Sequence, residues 1–155
     1  MLRSIFLGAS AATAAGLLFV NLYNSIVDAP NWGADIPHSI EAARTYFTVA
    51  NPGSFFRVFS PFNQVLALVA VIISWKNNRY IALSALAFAV LGDILTFGYF
   101  YPRNEIMFLA PIDNNAITNA WQEWSRMNWV RSLICLANSV AAFTLLISTS
   151  KKSAS

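Results

Sequence analysis

Apolar residues in this chain fall into four long runs, at about 4–27, 60–75, 80–101 and 127–148, separated by polar stretches of very unequal length. Runs of roughly this length suit helices that cross about 30 Å of hydrocarbon. The pattern predicts an all-α fold: a four-transmembrane-helix bundle forming one domain over 1–150, with a disordered tail at 151–155. Gly8, Ala12 and Gly16 make a stripe of small residues suited to close helix packing in lipid. Ser60-Pro61 reads as an N-cap followed by a first-turn proline, so the second span is expected to begin there. Lys76-Asn77-Asn78-Arg79 reads as a tight turn, and Pro102 as the end of the third span.

The polar stretches sort by length. Two long segments, 29–57 and 103–126, are expected to carry short helices, with Ser39 capping one over 40–49 and helical spacing across 116–126. Asn51-Pro52-Gly53-Ser54 is expected to end the first of these. Three short segments carry Arg3, Lys76, Arg79, Lys151 and Lys152 with no acidic residue among them. In the long segments Arg44, Arg57, Arg103 and Arg126 are offset by Asp35, Glu41, Glu105, Asp113 and Glu123. The positive-inside rule therefore puts both termini in the cytoplasm and both long loops outside it. A signal peptide is the competing reading of the first run, from Arg3 and Ala12-Thr-Ala14. The continued hydrophobicity through Val20 argues against it.

Composition agrees with the pattern. The chain of 155 residues is 57% hydrophobic and 11% charged, against about 25% charged in ordinary soluble domains. Its main partner is thus the lipid bilayer, the plasma (inner) membrane if the source is bacterial. Homo-oligomerisation is left open. No basic run with interleaved aromatics supports nucleic-acid binding. The single Cys135 rules out an internal disulfide and lies in an apolar run, where it reads as a small buried hydrophobe. Asp35, His38 and Glu41 diverge around a helix, so no metal site is expected there.

A few polar residues interrupt the apolar runs, and they converge. Asp93 lies about 12 Å below the outer end of the third span, and Arg131 about 6 Å inside the fourth. Asn21, Asn24 and Asp28 share a face near the outer end of the first span, and Asn63 starts the second. A carboxylate in hydrocarbon costs at least about 2.5 kcal/mol, so it needs a partner or a purpose. Two readings follow. In one, Asp93 and Arg131 form an ion pair bridged by asparagines that sets helix register. In the other, they line a pocket open to the outer face, roofed by the loops and walled by Tyr99, Tyr101, Trp124 and Trp129. Such a pocket suits a small, flat, mainly apolar ligand bearing a few oxygens.

Pro102-x-Asn104 followed by Met107-Phe108, with Trp124-Ser-Arg126 and Asn128-Trp129-Val-Arg131-Ser132, resembles the small four-helix membrane proteins grouped with fungal anthrone oxygenases. That resemblance covers the four-span layout and about fifteen residues. It implies oxygenation of an anthrone to an anthraquinone without metal or organic cofactor. Under it, Asp93 or Glu105 would be the base, and Arg131 or Arg103 would hold the oxyanion. Asn104 and Asn128 would orient substrate oxygens. The competing function is a non-catalytic subunit or ligand-binding protein whose loops dock a partner. Docking would leave Trp32, Trp121 and Trp124 exposed as a patch. An enzyme would fold its loops over a cavity containing Asp93, Arg131 and Asn104.

Overall fold

A computed structural model describes residues 2–154 of the backbone and the side chains of residues 2–150. It is all-helical, with no strand among the described residues. The elements are α1 (Leu2–Tyr23), a π-helical segment (Asn24–Asp28), α2 (Ala29–Trp32), α3 (His38–Tyr46), α4 (Pro52–Leu95), a second π segment (Thr96–Phe100), α5 (Tyr101–Phe108) and α6 (Asn114–Ala154). Three helical stretches, Leu2–Trp32, Pro52–Phe108 and Asn114–Ser150, are long and apolar enough to cross a membrane. The expected disordered tail at 151–155 lies outside the described side chains, and Ser155 outside the described residues altogether.

Helix α4 reverses on itself. Asn78 has non-helical dihedrals (φ −138°, ψ 32°), in the polar Lys76–Arg79 stretch that reads as a turn. Gln64 and Asp93 are hydrogen-bonded although 29 residues apart. A straight helix would separate them by about 43 Å. Ala70 and Val71 accordingly pack in one cluster with Ala82, Leu7 and Leu145.

Several helix boundaries differ from expectation. Asn51 begins a helix instead of ending one: its side chain accepts from the Ser54 amide at 3.1 Å in a capping box, with Pro52 at the first helical position. Pro61 consequently lies inside α4, and its missing N–H leaves the Arg57 carbonyl without its helical donor. Helix α3 is capped by no side chain. Ser39 instead donates to the Trp32 carbonyl at 2.6 Å. Nor does Pro102 stop the chain. Each π segment leads into an α-helix with proline in its first turn, Pro30 in α2 and Pro102 in α5. A wider π turn accommodates the proline ring and missing donor that would break a regular helix. Helix α6 runs unbroken from Asn114, its first amides held by the Asp113 carboxylate.

The small-residue stripe on α1 also faces differently. A Cβ built on Gly8 or Gly16 meets nothing, and Ala12 and Gly16 are exposed. The inward face is Leu7, Ala11, Ala14 and Leu18, because the bundle packs the other side of α1 against Ala142 and Leu145 of α6.

Candidate functional site

At the end of the bundle away from Asn78, large side chains from the short helices form a roof. Trp32, Ile40, Phe100, Met107, Ile117 and Trp124 share one buried cluster. The Trp32 ring sits edge-on to Phe108 and Trp124, at 5.1 and 5.2 Å between centroids. Arg44 from α3 donates to the Met107 carbonyl through Nε at 2.9 Å and Nη2 at 2.8 Å, capping the C-terminal end of α5. Trp121 donates to the Ala29 carbonyl at 2.7 Å and lies so close over Gly33 that a Cβ there would come within 2.0 Å of its ring. Only glycine allows that approach.

Beneath the roof, α1 and α6 are joined by a reciprocal amide pair. Asn21 Nδ2 donates to the Asn128 carbonyl at 3.3 Å and to Ser132 Oγ at 2.7 Å. Asn128 Nδ2 donates to the Asn21 carbonyl at 3.2 Å and to Ser25 Oγ at 2.6 Å. Both residues are 0% exposed. Their side-chain oxygens point at one guanidinium: Arg131 donates through Nε to Asn21 Oδ1 at 2.6 Å and through Nη2 to Asn128 Oδ1 at 2.7 Å. Phe100, Phe56 and Trp124 surround the same group, at 4.1, 4.7 and 5.9 Å from the ring centroids to Cζ. Such contacts stabilise a cation more strongly when it is desolvated. Arg131 is thus held rigidly by neutral amides and aromatic faces.

The expected Asp93–Arg131 ion pair does not form. Among the described residues only His38–Asp35 and Arg103–Glu123 lie within 4.0 Å as ion pairs. Asp93 instead accepts from Gln64 Nε2, and the Ser60 hydroxyl faces the same carboxylate. The two charges nevertheless line one cavity of about 400 Å³, with Asn24, Trp32, Phe56, Tyr101, Asn104 and Trp124. Glu105, Arg44 and Arg57 border it as well. This volume lies in the range that takes a small organic ligand.

The remaining candidates divide clearly. Asn21 and Asn128 stand behind Arg131, with their amides committed to the clamp. Asn24, in the orientation its neighbours satisfy, donates to the Val20 carbonyl at 3.1 Å and to Asp28 Oδ2 at 3.0 Å. Asn63 borders a smaller recess next to the cavity. Three residues lie away from the cavity. Arg103 is taken up by Glu123 (Nη2–Oε2 2.7 Å), by the Tyr99 carbonyl and by the Tyr99 ring at 3.5 Å. Tyr99 is thereby held against the roof, and Trp129 is 51% exposed on the bundle's outer surface. Tyr99 falls inside the π segment, which shifts the helical phase there, and Trp129 follows the buried Asn128 by one position, about 100° around α6.

Sequence reasoning missed Phe56, Gln64, Arg44 and Arg57. For Gln64 a signal existed: a reversal centred on Asn78 pairs position 64 with position 93. Phe56 carried none, because it was assigned to a loop instead of to the first turns of α4. Two residues that border these spaces each carry a buried polar atom without a hydrogen-bond partner, Trp124 Nε1 and Asn63 Oδ1. Unpaired buried polar groups call for a specific explanation.

Comparison of the chain with protein-family models, curated proteins and solved structures finds no match.

Proposed function

We propose that the chain crosses the membrane four times, both termini cytoplasmic, and binds a flat, oxygen-bearing aromatic molecule in its outer half as a cofactor-independent oxygenase of anthrone-like compounds. The carrying observation is that Asp93 and Arg131 line one aromatic-walled cavity without neutralising each other. The reversal at Asn78 supports a count of four crossings. Burial of Trp32 and Trp124 supports the enzyme over the partner-docking protein, since these rings are used inside the roof.

In this reading the ligand's rings lie against Phe56, Trp32 and Phe108. Asp93 takes a proton from the activated ring carbon, and Arg131 holds the oxygen on which negative charge gathers. The carbanion adds dioxygen, forming a carbon–oxygen bond, and the peroxide anion takes back the proton from Asp93. Loss of the second proton from that carbon and cleavage of the O–O bond leave a ketone and one water. Dioxygen is the only oxidant required.

The test is oxygen uptake by the protein in nanodiscs supplied with an anthrone, measured against nanodiscs without protein. Wild type should exceed the background, and Asp93→Asn and Arg131→Gln variants that retain wild-type helicity should lose about 100-fold or more. Variants that fold and keep the rate would sink the assignment.

A further inference from the structure

The recess beside the cavity has a volume of about 30 Å³. Its wall sets Ser60, Asn63, Asp93, Thr96, Arg131 and Asn138 among the apolar side chains of Leu17, Phe56 and Phe88. A single water needs roughly 10–15 Å³ of such space, and cavities that stay dry are apolar. Asn63 is 2% exposed, and its Oδ1 has no donor. Arg131 spends two of its N–H donors on Asn21 and Asn128, and its others meet no acceptor among the described residues. Charge narrows the occupant. A cation would meet the guanidinium and an anion the Asp93 carboxylate. A neutral group that both donates and accepts satisfies Asn63 and Arg131 together.

We infer that the recess is a binding site for one hydroxyl-sized group, donating to Asn63 and accepting from Arg131. In the free protein the occupant is water, which takes the place of the direct Asp93–Arg131 ion pair. When an aromatic ligand fills the cavity, the occupant is one of its phenolic hydroxyls. The recess and cavity share Phe56, Ser60, Asp93, Thr96 and Arg131, so a ring in the cavity can extend a hydroxyl across that common border. This second half rests on the proposed function; the first does not.

Three measurements test it. A high-resolution structure of the ligand-free protein in nanodiscs should show one density peak within hydrogen-bonding distance of Asn63 Oδ1. No peak, or Asp93 and Arg131 in direct contact, overturns the site. Asn63→Leu keeps the volume and removes the acceptor. The thermal midpoint should fall by about 3 °C, the loss of one buried hydrogen bond in a protein of this size. An unchanged or raised midpoint means that Asn63 was unpaired and the site is wrong. Finally, a hydroxyanthraquinone and its parent anthraquinone are titrated in parallel. Wild type should favour the hydroxyl compound by about 5-fold, the worth of one neutral hydrogen bond, and Asn63→Leu should erase the preference. Equal binding of the two by wild type removes the ligand half alone. Binding of neither removes the aromatic-ligand reading and its hydroxyl together, leaving the water site to the first two measurements.

Discussion

The two ends of this bundle hold helices together by opposite means. Near Asn78, Leu7, Ala70, Val71, Ala82 and Leu145 pack through small and aliphatic side chains. In lipid, where no hydrophobic force draws helices together, small residues gain close backbone approach and dispersion. At the other end the helices meet through amides, a guanidinium and large aromatic rings, and a cavity of about 400 Å³ remains. Small side chains can close a gap, and a rigid clamp can hold one open. The Asn21–Asn128 pair does the second: it fixes α1 against α6 at one spacing while presenting Arg131 inward.

If the ends are so divided, damage at each should read out differently. The largest effect is expected from Asn21→Leu, which strips Arg131 of one acceptor and breaks the link to Ser132. Leaving a buried charge short of partners costs about 3–5 kcal/mol, so the thermal midpoint should drop sharply and tryptophan near-UV dichroism should flatten. A midpoint within a degree of wild type would mean that the clamp does not hold the cavity end. Ala82→Leu is expected to cost about 1–3 kcal/mol by overpacking. Made in a Trp75→Phe background, which removes the one tryptophan near Asn78, it should leave the tryptophan dichroism of that background unchanged, because Trp32, Trp121 and Trp124 lie in or against the other cluster. A changed aromatic signal would show that the two ends are not separate. Arg103→Gln should matter least, about 0.2–1 kcal/mol, as expected for a partly exposed ion pair. A loss of several kcal/mol in chemical denaturation would show that Arg103, through Glu123 and Tyr99, is a main support of the cavity end.

Much of the fold was legible along the chain. The apolar runs marked the long helices, and the polar Lys76–Arg79 stretch contains the break at Asn78. Asp93 and Arg131 stood out because charge in an apolar run is expensive, and they do meet in one cavity. What each touches was not legible. An arginine opposite an aspartate suggests a pair. Gln64 reaches Asp93 only because the hairpin sets its register, and the asparagines reach Arg131 only because α1 and α6 cross at their level. Tyr99 and Trp129 failed for reasons of helix phase: Tyr99 lies in the π segment, which shifts it out of the α-helical register, and Trp129 lies about 100° around α6 from the buried Asn128, off the inward face.

Periodicity and composition by themselves determined that this is an all-helical chain with membrane-length segments and a few costly polar residues near one end. Those are properties of local hydrophobicity, written residue by residue. Tertiary structure decided that Asp93 and Arg131 share a cavity instead of a bond, that Asn21 and Asn128 hold the arginine, and that Asn51 starts a helix. Each of these depends on helix phase and on contacts between residues about 30 to 110 positions apart, or on a local cap whose geometry must win over an equally plausible turn.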